Sequence, residues 1–294
     1  MARYAVIGTP IAQSKSPAIH RMFAEQTKQD MEYEAIEVVA DNFDSFVLDF
    51  FANGGDGLNV TVPHKERAYR IVNQLEPLAE QAGAVNTLFQ SAEGTLCGDN
   101  TDGIGLVRDI QTNNGIAIKN KNLLVIGAGG AVRGALVCLI EEKPATITLV
   151  NRTKEKAKKM RELFSAKQNI EVASFENLQG EFDLIINGTS LSLSGEVPAI
   201  TPDQVGTDCS CYDMMYGNED TAFVSWAKNN GAANAIDGLG MLVEQAAESF
   251  FRWRGIRPDT SPVTNALRKE KSHSYDAFQN LNALPEICGI PVLN

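Results

Sequence analysis

NLLVIGAGGAVRGALVCL, Asn122–Leu139, joins an apolar run to a cluster of glycines and then to a segment of small residues. An apolar strand turning through glycines into a helix is the opening unit of a doubly wound α/β sheet. The glycines permit a tight turn, and the backbone N–H groups at the helix start can receive a diphosphate. Val132 stands where the strict G-x-G-x-x-G pattern has its third glycine. Read alone, the loop therefore leaves open a strand-to-helix turn that binds nothing; its place between a strand and a helix favours a dinucleotide.

Downstream, ITLV, Ile147–Val150, reads as the next strand and delivers Asn151, Arg152 and Thr153. An NAD-preferring site usually carries a carboxylate there for the ribose hydroxyls, whereas a guanidinium and a hydroxyl suit a 2′-phosphate. NADP is therefore expected over NAD. The competing reading puts Arg152 on a solvated loop with Thr153 capping the helix that runs through Leu163. DLIIN (183–187), CYDMMY (211–216) and NAID (234–237) continue the series of strands. NGTS, Asn187–Ser190, reads either as a loop skirting the cofactor at the carboxyl end of a strand or as a surface turn.

Upstream lies a second alternation: a strand over 3–7, a helix over 17–28, a strand over 33–39, a helix over 43–52 and a strand over 58–62. Between the two series, GDNTDGIGLVRDIQTNNG predicts a crossing helix from about Thr101 to Asn113. GMLVEQAAESFFRWR, Gly240–Arg254, is strongly amphipathic and is expected to return to the first domain. The fold class is thus α/β with two α/β domains and a cleft between them. Expected boundaries are 1–101, 102–239 and 240–270, with 271–294 a tail of weak periodicity left unassigned.

The 294 residues, 44% of them apolar, suit about two soluble domains. A net charge of −11 without a basic stripe argues against nucleic acid or an anionic membrane as partner. The first apolar run is too short for a signal peptide, and none approaches the ~18 residues of a spanning helix. A cytoplasmic protein, monomer or homodimer, is expected. Cys97, Cys138, Cys209, Cys211 and Cys288 lack zinc or disulfide spacing and read as reduced structural thiols. His20, His64 and His273 are too scattered for a metal site, and GDNTDG fails as a calcium loop because Ile110 takes the place of the final Glu.

NVTVPHKE, Asn59–Glu66, alternates Val60 and Val62 on one face with Asn59 and Thr61 on the other, then runs into Lys65. Beside a nicotinamide cofactor, an ammonium can donate the proton that a carbonyl oxygen needs as hydride arrives. The other reading is a lysine that begins an exposed helix. SKSP places Ser14 and Ser16 before a helix, where hydroxyls and free N–H groups could hold a carboxylate. AVNT brings Asn86 to the end of an apolar segment, and Asp102 sits in a first helical turn.

Taken together, SKSP, NVTVPHK, GAVNT, GDNTDG, GAGGA, NRT, NGTS, YDMMY and DGLGMLVEQAA resemble, in order and near spacing, the NADP-dependent bacterial shikimate dehydrogenases, over about Tyr4 to Glu270. The resemblance implies an N-terminal substrate-binding domain, a C-terminal Rossmann-type NADP domain, and reversible NADPH-dependent reduction of 3-dehydroshikimate to shikimate in aromatic amino acid biosynthesis. It implies that Ser14 and Ser16 bind the substrate carboxylate, and that Asn59, Thr61, Asn86, Asp102, Tyr216 and Gln245 bind the rest of the substrate. Lys65 would be the acid/base with Asp102 as its partner. Gly127, Ala128, Gly129, Gly130 and Ala131 would meet the diphosphate, Asn151, Arg152 and Thr153 the 2′-phosphate side, and Thr189, Met214 and Gly238 the remainder of the cofactor. No metal is implied. His64 replaces a frequent aromatic beside the lysine, with an expected effect on substrate orientation or pH dependence. Pro77 replaces an acidic residue near the cofactor, and Ala222 replaces a proline. Two alternatives remain beside this reading: a quinate-using paralogue, and a regulator that binds NADP without turnover.

Overall fold

The computed structural model describes residues 1–269, so the tail that begins at residue 271 lies outside the described part. The first sheet contains β1 (Ala2–Gly8), β2 (Met31–Glu37), β3 (Gly57–Val60), β4 (Gln74–Leu75), β5 (Thr87–Gln90) and β6 (Leu96–Asp99), in the order β2-β1-β3-β5-β6-β4. Its β1–β2, β1–β3 and β4–β6 pairs are parallel, while β5 runs antiparallel to both β3 and β6. The second sheet contains β7 (Asn122–Ile126), β8 (Thr146–Val150), β9 (Ile170–Ala173), β10 (Phe182–Asn187), β11 (Val205–Asp213) and β12 (Asn234–Ile236), in the order β12-β11-β10-β7-β8-β9. Every pairing in it is parallel. Strand order reverses between β7 and β10, which makes the carboxyl ends of those strands the crevice of a doubly wound sheet.

Helices fill the crossovers: α1 (Ser16–Thr27), α2 (Phe43–Ala52), α3 (Lys65–Ile71), α4 (Pro77–Ala82), α5 (Asp102–Arg108), α6 (Gly130–Glu141), α7 (Lys154–Phe164), α8 (Ala222–Asn229) and α9 (Leu239–Arg254). The predicted crossing helix is split. α5 continues as a wider turn over Asp109–Asn113, where the buried Asp109 carboxylate accepts the Tyr212 hydroxyl at 2.6 Å and the Asn113 amide at 2.9 Å. This ties the crossing segment to β11 of the second sheet.

α9 packs Leu239, Val243, Ala246, Ala247 and Phe250 against Ile19 and Phe23 of α1, and against Val263 and Leu267 of a helical stretch over 260–269. It also packs against α5. A Cβ at Gly105 would lie 2.7 Å from the Gln245 nitrogen and 2.9 Å from the Met241 carbonyl, so only glycine allows this approach.

Three readings change at element ends. β3 stops at Val60; Val62, expected to anchor it, is 69% exposed. Pro63 has no N–H to continue a ladder, and the chain instead turns, with His64 N–H donating to the Thr61 carbonyl at 2.9 Å. β11 stops at Asp213 rather than Tyr216, because the Asp213 carboxylate accepts the Met215 N–H at 3.1 Å and bends the backbone away. β5 and β6 form an antiparallel pair absent from the sequence reading, only four residues each and joined by the five-residue turn Ser91–Thr95, in which Gly94 has φ +78°.

His64 points away from the cleft: its ring is buried against Phe43, and its Nε2 pairs with the Val38 carbonyl at 2.6 Å. Any effect of His64 on substrate orientation or pH dependence would therefore be transmitted through the turn to Lys65 and not by contact in the cleft. Pro77 and Ala222 each occupy the first position of a helix, Ala222 behind a Thr221 cap whose Oγ1 accepts the Val224 N–H.

His20 is fully buried, stacked on Tyr33 at 4.0 Å between ring centroids, and both ring nitrogens lack a hydrogen-bond partner. Burial holds its pKa down to about 3, and the Asn59 side-chain oxygen nearby offsets that only in part, without closing a hydrogen bond. The folded state keeps the imidazole neutral, whereas the unfolded chain protonates it below ~6.5. Between that value and about 3 the unfolded state binds more protons, so stability is lost as pH falls through this window. In His20→Leu this loss is absent. Urea unfolding at near-neutral pH and two units lower is expected to show the variant gaining on the wild type by ~2 kcal/mol or more. An unchanged difference between the two would contradict a neutral His20.

Candidate active site

Lys65 opens α3 immediately after the Thr61–His64 turn, and Asp102 opens α5. A cation in a first helical turn meets the positive end of the helix dipole, so Lys65 is poorly placed for stability alone. Its compensation is Asp102: Nζ stands 2.5 Å from Oδ2, with the lysine side chain 26% exposed and the aspartate 10%. Asp102 Oδ1 accepts the Asn86 amide at 2.9 Å, and its own N–H is taken by Asn100 Oδ1.

This pair lies in a cleft of about 540 Å³. Ser14, Ser16, Asn59, Thr61 and Asn86 line it from the first sheet; Met214, Tyr216, Gly238 and Gln245 line it from the segments after β11, after β12 and on α9. The Ser14 hydroxyl accepts the Ser16 N–H at 3.3 Å and so keeps its own proton for a ligand. α1 has Lys15, not a serine, at its cap and no acidic residue in its first turn, which leaves its N-terminus open to an anion. Gln245 donates one amide proton to the Leu242 carbonyl and accepts weakly from Asn86 at 3.4 Å, which leaves its second proton for the cleft. Asn59 lines the cleft as wall: its oxygen accepts the Tyr33 hydroxyl and its amide donates to protein groups. Burial raises the Tyr216 phenol above its ordinary range, with the Asp237 charge adding to the effect, so it enters the cleft as a neutral hydroxyl.

The glycine loop lies at the switch point of the second sheet. Gly127 has φ +115°, a value that L side chains rarely adopt, and packs against Gly188 of the NGTS loop. A Cβ at Gly129 or Gly130 would meet nothing within 4 Å, so open space faces the first turn of α6, and that turn carries no acidic residue. These are the requirements of a dinucleotide diphosphate. A shallower hollow of about 230 Å³ adjoins the loop, lined by Ala128, Gly129, Gly130, Arg133, Lys156 and Lys159 among others.

A profile of the shikimate dehydrogenase substrate binding domain matches residues 6–88, one for shikimate / quinate 5-dehydrogenase matches 109–205, and one for the shikimate 5'-dehydrogenase C-terminal domain matches 238–268. The shikimate dehydrogenase (NADP(+)) of Alkalilimnicola ehrlichii is 54% identical over 91% of this chain and 99% of its own. The chain belongs to the shikimate dehydrogenase family. Among solved structures, an Ael1 enzyme from Pseudomonas putida is 42% identical with a TM-score of 0.87, over 91% of this chain and 98% of that one. Shikimate 5-dehydrogenase from Thermus thermophilus, in complex with NADP(H) and shikimate, is 31% identical with a TM-score of 0.82, over 92% and 99%.

Within this member of the family, the residues named from sequence divide into two groups. Those of the substrate side converge on one cleft with Met214 and Gly238. Gly127, Ala131, Asn151, Arg152, Thr153 and Thr189 line neither hollow. Thr189 turns its hydroxyl back onto Asn187 Oδ1 at 2.7 Å, and the Asn151 amide donates to the Thr153 carbonyl at 2.8 Å. Thr153 holds the cap position of α7 but makes no side-chain cap bond. Sequence reading missed Met241 and Leu242 in the cleft, and Arg133, Lys156 and Lys159 beside the glycine loop. Lys156 was detectable, four residues beyond Arg152 at the start of a helix.

Arg152 is exposed just past β8 and carries no side-chain partner in the hydrogen bonds of the described residues that would hold it in place. Arg152→Ala is expected to raise KM for NADP about tenfold or more and to leave KM for NAD nearly unchanged, because a guanidinium grips a phosphate dianion and not a ribose hydroxyl. Steady-state kinetics with each cofactor measures this; equal losses would contradict it.

Proposed function

We propose that the chain catalyses the reversible, NADP-dependent interconversion of 3-dehydroshikimate and shikimate, with residues 1–101 holding the substrate and residues 102–239 the cofactor. The observation that carries the assignment of residues is the Lys65–Asp102 contact of 2.5 Å, which stands between a hydroxyl- and amide-lined wall and the Met214 and Gly238 edge of the cofactor-side sheet.

NADPH, when bound, supplies the hydride to the carbonyl carbon. Residues of the chain supply what else the reaction needs. Ser14 and Ser16 hold the substrate carboxylate at the start of α1, with the Ser14 hydroxyl fixed as acceptor of the Ser16 N–H. Thr61, Asn86, Gln245 and Tyr216 orient the ring through its hydroxyls, and Asn59 supports that wall. The Lys65 ammonium donates its proton to the carbonyl oxygen as charge develops there, and the neutral amine takes it back in the reverse direction. Asp102 holds the ammonium in line, fixed in turn by Asn86. Met214 and Gly238 would hold the nicotinamide end of the cofactor, and Gly127–Ala131, Asn151–Thr153 and Thr189 the remainder.

Thr61 and Arg152 favour shikimate with NADP over quinate with NAD, and equal-concentration assays of both substrates with both cofactors are expected to show that preference. Ligand binding without turnover would favour a regulator instead. We place the protein in the cytoplasm as a monomer or homodimer, which light scattering separates; among the described residues no helix is long and apolar enough to cross a membrane. Lys65→Ala is expected to lower kcat by about 10²–10⁴-fold with a modest change in KM. An undiminished rate would remove Lys65 from the chemistry.

A further inference from the structure

Behind the Lys65–Asp102 pair lies a polar interior in which Thr87, Thr101 and Ser249 have none of the roles above. Thr87, Thr101 and Ser249 are fully buried, and Asn59 and Asn86 nearly so. The Tyr33 hydroxyl meets Asn59 Oδ1 at 2.7 Å. The Asn59 amide then donates to Ser249 Oγ at 3.0 Å and to the Asn86 carbonyl at 3.1 Å. Ser249 Oγ and Thr87 Oγ1 are 2.8 Å apart, and Thr87 Oγ1 is 2.8 Å from Asn86 Oδ1.

Counting protons gives this chain a direction. The Thr101 backbone N–H, which can only donate, points at Asn86 Oδ1 at 2.9 Å, so that atom is the amide oxygen and the amide nitrogen faces Asp102. The Thr87 hydroxyl, to reach the same oxygen, must give its single proton to it. Thr87 therefore accepts from Ser249, and Ser249, having given its proton, accepts from Asn59. The other acceptors open to that proton, the Gln245 carbonyl at 3.1 Å and Thr101 Oγ1 at 3.3 Å, are both longer than Thr87 Oγ1. Giving the proton to either would leave the Ser249 and Thr87 hydroxyl oxygens lone pair to lone pair at 2.8 Å.

We propose that Thr87 and Ser249 are positioning residues for the reaction: a one-directional hydroxyl relay from Asn59 through Ser249 and Thr87 fixes the Asn86 amide, and through it the Asp102 carboxylate that meets Lys65. Ser249 stands one turn beyond Gln245 on α9, so the same helix that reaches the cleft also buttresses the acid–base pair from behind. This proposal rests on the reading of Lys65 and Asp102 as that pair.

The test compares Thr87→Val, which keeps shape and loses the hydroxyl, with Thr87→Ser, which keeps the hydroxyl. Thr87→Val is expected to lower kcat about tenfold with KM for NADP unchanged, the loss that one broken buried hydrogen bond predicts. Thr87→Ser is expected to restore most of the rate even where its melting temperature falls below that of Thr87→Val, which separates positioning from stability. Should Thr87→Val not fold, Ser249→Ala with the same two readouts replaces it. In a Lys65→Ala background, Thr87→Val is expected to add little further loss, because both act on one proton transfer. If Lys65→Ala is inactive and Thr87→Val turns over like wild type, the relay is wrong and the acid–base pair stands. A fully active Lys65→Ala takes down both, and equal rates for Thr87→Val and Thr87→Ser overturn the relay.

Discussion

The approach of α5 to α9 at Gly105 is the constraint from which the cleft follows. α5 leaves the first sheet with Asp102 in its first turn, and α9 leaves the second with Gln245 midway along it. With backbone atoms of α9 only 2.7–2.9 Å from where a Cβ would stand, the two helices are held without an intervening side chain. A larger residue would push them apart and separate Gln245 from Asn86, at present 3.4 Å apart, before it touched any group that handles substrate. The position of the Lys65–Asp102 pair relative to the wall that carries Met214 and Gly238 is therefore set by backbone packing rather than by contacts inside the cleft.

A second theme is the neutral polar interior. Within the N-terminal half, Asn59, Asn86, Thr87 and Thr101 are buried together with Ser249 of α9 and satisfy one another, with Asp102 the nearest charge and Lys65 its counterion. At the end of β11, Asp213 is buried with no cation beside it among the described residues and instead accepts from Ser192, Thr221, Asn187 and the Met215 N–H. Burial raises its carboxyl above the usual range while those four donors pull it back down. Both sites use amides and hydroxyls to hold a carboxylate in place, which avoids the large cost of an isolated buried charge.

Much of this is legible in the chain before it is folded. The glycine loop, the parallel strands of the second sheet and the amphipathic α9 follow from periodicity, and Lys65, Asp102, Ser14 and Ser16 stand out because polar residues follow apolar runs at strand ends. What escaped was the result of pairing across long separations. Nothing in GAVNT announces that Thr87 faces Ser249, since a threonine in a short strand reads as a surface residue until its partner is known. Alternation placed Val62 inside because it carries no information about where Pro63 breaks the ladder. The inward turn of His64 is hidden for the same reason: a one-residue change of direction at a turn exchanges the two faces.

Asn59 and Ser249 are 190 residues apart in the chain yet share a hydrogen bond. Synthesis proceeds from the N-terminus at about 5–20 residues per second, so the first sheet leaves the ribosome with its polar interior uncapped and waits many seconds for the helix that closes it. The N-terminal half is thus the first to be made and the last to be finished, and a chain that stops short of α9 leaves Asn59 and Thr87 without Ser249 as their buried partner.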